Sequence, residues 1–432
     1  MNERFEYKGY WYLPNNDENA IAGILTYLPN VSLELELIGA IDKSESDFVG
    51  FANQETRKII WGTTSEGKRI SLFNCIPSGG CLYHDVSFPI SKYKIQFCLN
   101  GCHLEHFLEN KFDWANVSIS TLTYWYHPGV LKRKDIHDKE SHELKQISVS
   151  LNIKKAKDPV CSVRVNDETI IDLKRDASFN SSNNSLNPCF SQNTIIRFNR
   201  SQKSNISEYL RLTSHFESFL SLASLKTIQV ERILLYDDSD FQDVGDRKIF
   251  RPSELYFVQK ARSLTKNKAT DFLFSYGQIE DIYPVILNKW YNNDEKIVPI
   301  RQHLINSVKI REVFESIDFL IVIQAIEGFC SRFKKEQDLK QQLRDLLAEF
   351  DDVALITNLD INVDEVADSR HYYSHFFDKS KKKNIVDGIE LYYLTRKLRV
   401  VLIACLLSYC GIENSRINKI LNMTNNPLVK FD

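Results

Sequence analysis

Ten consecutive residues of this 432-residue chain, 368–377, concentrate side chains that bind anions and move protons. They read Asp-Ser-Arg-His-Tyr-Tyr-Ser-His-Phe-Phe. Arg370 can hold two phosphate oxygens at once through its planar guanidinium group. His371 and His375 can take up and release protons near neutral pH. Together these residue types indicate phosphodiester chemistry.

The same residues carry signals for a helix start. The side chain of Asp368 or Ser369 can cap the free amides of a first turn. We therefore predict that Arg370 and His371 lie in that turn, where free amides and the helix dipole favour a bound anion. His371 and His375 would share one helix face. Arg370 and His375 would diverge by about 140° on a regular helix, so they converge only if the first turn is irregular.

Arg370, its polar neighbour His371 and His375 after four intervening residues resemble the signature of HEPN ribonucleases. The wording Arg-His-Tyr-Tyr-Ser-His is similar to the ApeA-like branch of that family. The N-terminal half also resembles the domain that accompanies ApeA-like HEPN domains, in segments 9–12, 23–25, 33–35, 61–62 and 67–72.

The resemblance implies an endoribonuclease that needs no metal or other cofactor for catalysis. His375 would transfer the proton of a ribose 2′-OH, and Arg370 would stabilise the charge that builds on the phosphate. RNA would be the substrate, with tRNA as a candidate, and the setting would be prokaryotic defence against phage. A phage-derived trigger would activate the enzyme, which would then stop translation in the infected cell.

Four further residues would support this pair. His371 would orient the pair or contact phosphate. Tyr373 and Ser374 would donate hydrogen bonds, or serve only in packing and capping. Glu327, in an apolar helix, would brace Arg370 or point to solvent. The pair itself would be structural if the arginine simply bonds a carboxylate and the histidine packs among the neighbouring phenylalanines.

Two basic segments could contact RNA phosphates. Lys379, Lys381, Lys382 and Lys383 follow the motif directly, as an RNA-backbone groove or as a solvated loop. The segment 260–268 is also rich in lysine, and a solvated connector is the simpler interpretation of it.

A cluster of cysteines and histidines has the ligand types of a structural zinc site. It comprises Cys98, Cys102, His103 and His106, with Cys75 and Cys81 upstream. The spacings are not those of a standard zinc knuckle, and buried cysteines in strands are common. A structural zinc is therefore an open alternative to buried thiols.

Net charge and hydrophobic runs limit the other classes of protein to which the chain could belong. A net charge of −2 gives no global attraction to nucleic acid, so basic surfaces must be local. The polar first residues are not a signal peptide, and the longest apolar run, 400–407, is far shorter than the ~20 residues that span a bilayer. We expect a cytoplasmic protein with reduced thiols and no membrane contact. No phosphate-cradling glycine loop or metalloprotease motif is present.

Hydrophobic patterning predicts an α+β multidomain protein. Residues 1–236 would form a β-rich sensing or regulatory domain, sandwich or barrel-like. Residues 237–305 would be a mixed connector, and residues 306–432 an all-α helical bundle. Strands are predicted at 7–12, 22–27, 32–37, 58–62, 69–74, 93–98, 117–126, 146–153, 163–173, 194–198 and 227–236. Helices are predicted at 207–223, 313–333, 338–350, 363–377, 385–410 and 415–421.

The chain contains one Arg-x4-His signature, whereas the family places two motifs face to face across a dimer. We therefore expect a homodimer or a higher homo-oligomer formed through the bundle. The apolar helices 313–333 and 385–410 would offer the interface. The alternative function is a non-catalytic HEPN protein that binds RNA or a nucleotide and uses its β domain for protein interactions.

Overall fold

The structure is a computed structural model. It describes residues 1, 3–39, 41, 56–79, 90–127, 129, 131–138, 141–151, 159–180, 189–259, 272–292, 296–309, 316–334, 337–375, 378–381 and 383–430. Cys81, Phe376, Phe377, Lys382 and the basic segment 260–268 lie outside the described residues.

The N-terminal part is built from β-strands in which buried and more exposed residues alternate. In chain order the strands are β1 Phe5–Tyr12, β2 Ile21–Leu28, β3 Ser32–Ile38, β4 Arg57–Thr64, β5 Arg69–Pro77, β6 Ile90–Asn100, β7 Phe112–Ile119, β8 Leu131–His137, β9 Leu144–Leu151, β10 Pro159–Asn166, β11 Thr169–Asn180, β12 Cys189–Ser204, β13 Val230–Tyr236, β14 Phe241–Val244, β15 Arg247–Phe250 and β16 Ser253–Phe257.

Strands β1 to β6 close into a six-stranded antiparallel barrel. They follow one another in the order β6-β3-β2-β1-β4-β5, and β5 pairs back onto β6. In β3, Leu33, Leu35 and Leu37 point into the core, as strict alternation predicts. The ring of Trp11 is fully buried in the barrel, and a Cβ at Gly62 would lie 2.3 Å from it. A glycine is therefore required there.

Strand β6 also begins a second sheet. Its first half pairs with β3 and its second half with β16, so that the sheet continues through β13, β7, β12 and β11 to β10. Strand β16 therefore belongs to this second sheet, although the sequence predicts a mixed connector at residues 237–305. The pairs β8–β9 and β14–β15 form separate two-stranded hairpins.

Two predicted strands are wrong. The interval 117–126 holds the end of β7 followed by a short helix at Leu122–Tyr126. The interval 163–173 is a hairpin of β10 and β11 that turns between Asn166 and Thr169. The turn residues Asp167 and Glu168 are polar, but the apolar alternation on both sides resembles that of one continuous strand.

The helices lie mainly in the C-terminal part, with one long helix in the β-rich part. In chain order they are α1 Leu122–Tyr126, α2 Ile206–Ser224, α3 Tyr276–Ile279, α4 Tyr283–Tyr291, α5 Ile297–Lys309, α6 Ser316–Phe333, α7 Leu339–Glu349, α8 Ala354–Thr357, α9 Val363–His375, α10 Gly388–Tyr409 and α11 Asn414–Met423. None of the described helices is both long and apolar enough to cross a membrane.

The bundle positions α9, the helix that carries the motif. Helix α6 packs against α5, α9 and α10, and α9 also packs against α7. In the bundle core Arg399 of α10 donates to Asp318 of α6 and to Ser307 of α5. The apolar run Val400–Leu407 of α10 is buried within the chain. The apolar surface for an oligomer interface, predicted on helices 313–333 and 385–410, therefore does not come from this run.

The β-rich part and the bundle share one continuous core. Helix α2 contacts α4 and α5. The indole nitrogen of Trp290 donates to the carbonyl of His215 at 2.8 Å, and the hydroxyl of Tyr291 donates to the carbonyl of Leu212 at 2.8 Å. Near the end of the chain, Asn426 donates to the carbonyl of Ser224 at 3.2 Å.

Candidate active site

The motif helix begins earlier than its sequence suggests. The side-chain oxygen of Asn362 accepts from the amides of Asp364 at 3.0 Å and Glu365 at 3.4 Å, so this asparagine caps α9. The predicted cap at Asp368 or Ser369 is wrong. Arg370 lies well inside the helix, where backbone amides are already used, and the expected anion site in a first turn is absent from this position.

Asp368 and Ser369 instead hold the segment that leads into α10. Asn384 donates to the Asp368 carboxylate at 3.1 Å, and the Val386 amide donates to the Ser369 hydroxyl at 2.9 Å. The hydroxyl of Tyr373 donates to the Val386 carbonyl at 3.1 Å. Three motif residues therefore fix this segment against α9, which gives Tyr373 a structural role.

Arg370 is held by a carboxylate from the neighbouring helix α6. Its Nε donates to Glu327 Oε2 at 3.1 Å, and the two side chains are 28% and 22% exposed. No described residue is hydrogen-bonded to the two terminal nitrogens of the guanidinium. These nitrogens form the edge that can bind a phosphate in a bidentate manner.

An open pocket of about 430 Å³ lies between α6, α7 and α9. It is lined by Glu327, Asp338, Leu339, Lys340, Ala367, Asp368, Arg370 and His371. The pocket thus brings two motif residues together with a carboxylate and a lysine from other helices. Lys340 was not singled out by the sequence analysis, because no local pattern links residue 340 to a motif thirty residues further on.

His375 lies next to His371 but outside this pocket. The two imidazole rings are 4.9 Å apart between centroids and tilted by 60°, as expected for residues four apart on a helix. His375 is exposed, and it does not line the pocket. Helix α9 is regular around Arg370, so the irregular first turn through which Arg370 and His375 could converge is not found there. His371 lies between them.

The remaining predicted residues lie around this centre. Ser374 has a buried hydroxyl without a hydrogen-bond partner among the described residues. Lys379 pairs with Asp387, the residue that precedes α10, and Lys383 is exposed. Lys381 ends a single helical turn that starts at Lys379. Lys379 and Lys383 are therefore exposed close to the end of the motif helix, and their contact with RNA stays a prediction.

The zinc candidates that the structure describes do not converge on a metal site, and the sixth, Cys81, lies outside the described residues. Cys98 and Cys102 are buried, and burial raises the pKa of both thiols. The Cys102 sulfur lies 3.3 Å from the Ser253 hydroxyl. The His103 ring bonds the Gly62 carbonyl at 2.9 Å and stacks on Trp61. His106 is exposed. Within the described ranges no three such side chains could hold a metal.

Two family models match the chain. The model of ApeA N-terminal domain 1 matches residues 6–290, and the model of the Apea-like HEPN domain matches residues 306–416. No curated protein and no solved structure matches the chain. HEPN domains are generally ribonuclease domains, and the ApeA family acts in anti-phage defence. Because the first match alone covers more than half of the sequence, the chain belongs to the ApeA-like HEPN family.

Proposed function

We propose that this protein is an endoribonuclease that cleaves RNA without a metal ion. One observation carries the proposal: Arg370 and His371 line one open pocket, and His375 packs against His371. A guanidinium group held by Glu327 and two adjacent imidazoles supply the groups that this reaction requires.

The reaction begins with removal of a ribose 2′-OH proton by one imidazole acting as general base. The 2′ oxygen then attacks the adjacent phosphorus, and the bond from phosphorus to the 5′ oxygen breaks. A protonated imidazole gives its proton to the departing oxygen. The products are a 2′,3′-cyclic phosphate and a 5′-hydroxyl. The terminal nitrogens of Arg370 stabilise the charge on the non-bridging oxygens.

The substrate class follows from this mechanism. DNA lacks the 2′-OH nucleophile and stays intact. Cleavage of tRNA during phage infection would stop translation, and the N-terminal β-rich domain would sense a phage-derived trigger. The competing proposal is a non-catalytic HEPN protein that binds RNA or a nucleotide. Measurement of RNA cleavage distinguishes this binding protein from an endoribonuclease.

Substitution of the motif tests the proposal. Cleavage of RNA is measured in the presence of EDTA. Arg370→Ala should cleave about 100- to 1,000-fold more slowly than the wild type, because the charge on the phosphate is no longer stabilised. The rate of cleavage should fall about 100- to 10,000-fold in His375→Ala, through loss of proton transfer. The measurement is gel analysis of a labelled RNA, with mapping of cyclic phosphate ends. RNA from phage-infected cells that express each variant should show the same difference in cleavage. This comparison also tests an enzyme that becomes active only after a phage-derived trigger has bound.

Two matched controls remove equivalent groups elsewhere. Arg416→Ala deletes an arginine that forms an ion pair with Asp281 at 2.8 Å, and His106→Ala deletes an exposed histidine of the barrel domain. Both should cleave RNA like the wild type. Wild-type cleavage by either motif variant, or cleavage that stops in EDTA while the protein stays folded, would contradict the mechanism. RNA binding without cleavage, in vitro and in infected cells, would favour the non-catalytic alternative.

A further inference from the structure

We propose that Lys340 is a second phosphate-binding residue of the Arg370 pocket, and that Asp364 restrains it until RNA enters. The inference rests on the proposed function and adds to it a substrate-positioning residue and its restraint. Neither residue belongs to the Arg-x4-His motif.

Lys340 lies in the first turn of α7 and lines the pocket together with Arg370 and His371. Its ammonium nitrogen is 2.5 Å from the Asp364 carboxylate, and the two side chains are 41% and 48% exposed. Asp364 lies in the first turn of α9 and does not line the pocket. The lysine therefore has its stem in the pocket wall and its charge bound by a group outside that wall.

The other charges of the pocket already have partners. Glu327 accepts from Arg370, Asp338 accepts from the amide of Gln341 at 3.1 Å, and Asp368 accepts from Asn384. The carboxylate that pairs with Lys340 is 48% exposed, whereas the one that pairs with Arg370 is only 22% exposed. An exposed ion pair contributes little free energy, so a phosphate can replace the carboxylate as partner of the ammonium group.

Both members of the pair are charged at neutral pH. The hydrogen bond from Lys340 lowers the pKa of Asp364, and the same contact raises the pKa of Lys340. A lysine carries its ammonium group on a flexible four-carbon stem. The group can therefore move from Asp364 to a phosphate of the RNA backbone next to the one that Arg370 binds.

The two partners have opposite expected effects on cleavage. Lys340→Met should lower kcat/KM about 10-fold at low salt, the loss expected for one charge-assisted hydrogen bond. Asp364→Asn should raise kcat/KM about 2- to 5-fold, because RNA no longer competes with the carboxylate. Both substitutions should act on kcat/KM through a change in KM. The double variant should behave like Lys340→Met, and Lys340→Arg should retain most of the activity.

Salt dependence gives a second readout that a purely structural ion pair would not change. The logarithm of kcat/KM should fall less steeply with the logarithm of salt concentration in Lys340→Met, by about 0.7 for one lost contact to single-stranded RNA. The matched control is the pair of Lys334 and Glu349, 2.6 Å apart with side chains 40% and 36% exposed. Lys334→Met and Glu349→Gln should leave kcat/KM and the salt slope unchanged.

The result separates this inference from the proposed function. A wild-type protein that does not cleave RNA overturns the proposed function before any variant is compared. If the wild type cleaves RNA but Lys340→Met and Asp364→Asn change kcat/KM in the same direction, or leave it unchanged, the role of Lys340 is wrong and the Arg–His assignment stands. Thermal unfolding of each variant shows whether a loss of activity reflects loss of folded protein.

Discussion

At the scale of single residues, Glu327 determines how Arg370 is presented. A guanidinium group has five N–H donors in a planar fork. Glu327 accepts from Nε at 3.1 Å, so the two terminal nitrogens of this pocket-lining arginine stay available to a phosphate. The carboxylate thus positions the arginine, and it also adds a negative charge that opposes binding of RNA.

These two effects of Glu327 predict that Glu327→Gln lowers kcat without raising KM. The amide keeps an acceptor but not the charge that orients the guanidinium group, so kcat should fall about 10- to 100-fold. Removal of a negative charge from the pocket should leave KM unchanged or lower it. Steady-state cleavage of a short RNA measures both constants. A wild-type kcat would show that Glu327 does not position Arg370.

The residue types of the site could be read from the sequence, but their environment could not. Arg370, His371 and Glu327 were singled out from chemistry and motif spacing, and the structure brings the three to one pocket. The helix cap was misplaced because Asp368 and Ser369 have capping side chains but lie buried, where they bond Asn384 and Val386. Capping propensity reflects the backbone groups that a side chain can bond within its own segment. Burial determines which groups of other segments lie within bonding distance.

At the scale of elements, local periodicity predicted strands and helices but not how they pair. Strand β3 was evident because its apolar residues alternate strictly, and α2 because its apolar residues recur every three or four positions. The barrel closure joins β5 to β6, and the second sheet joins β6 to β16 across about 150 residues of sequence. Such pairings depend on which edges meet in the folded chain, and no local pattern encodes them.

Helix α2 lies between the β-rich part and the bundle and carries His215. The surroundings of this histidine disfavour the charged form of its ring. The Nδ1 atom of His215 is buried and has no partner among the described residues, and the ring packs edge-on against Tyr291 at 5.6 Å. Burial, together with the nearby charges of Arg301 and Arg211, lowers the pKa of His215 to about 4.

The depressed pKa of His215 predicts that the folded protein loses stability in mild acid. Between pH 6.5 and about 4 the unfolded chain binds a proton that the folded chain does not, so the free energy of unfolding falls as pH falls through this window. The loss should be on the order of 1 to 2 kcal/mol after allowance for partial exposure. His215→Phe should flatten this dependence in urea unfolding at pH 7 and pH 4.5. An identical pH dependence in both proteins would exclude His215 as the titrating group.

At the scale of the whole molecule, the β-rich domain is packed directly on the bundle. The side chains of Trp290 and Tyr291 bond to the backbone of α2, and Arg301 of α5 stacks on Trp290. The match to ApeA N-terminal domain 1 ends at residue 290, and the HEPN match begins at residue 306. A change in the β-rich domain can therefore reach the bundle through the packed helices α2, α4 and α5.

Within one copy of the chain, Arg370 and His375 do not line the same pocket, so a site that contains both of them would need a second copy. Arg370 lines the pocket and His375 does not, and five positions on a regular helix separate their directions by about 140°. Because the sequence holds one Arg-x4-His signature, a second copy of this motif can come only from another chain. We propose that two copies related by a two-fold axis bring Arg370 of each copy close to His375 of the other.

This arrangement predicts that cleavage depends on dimer formation and that inactive variants complement each other. Cleavage per chain should fall on dilution in step with the dimer fraction from analytical ultracentrifugation. After exchange of subunits, an equal mixture of Arg370→Ala and His375→Ala should recover about a quarter of wild-type activity, because half of the dimers are mixed and each mixed dimer holds one intact pair. Neither variant alone should show recovery. A monomer that cleaves RNA at full rate would instead require His371, the histidine that shares the pocket with Arg370, to transfer the proton within one chain.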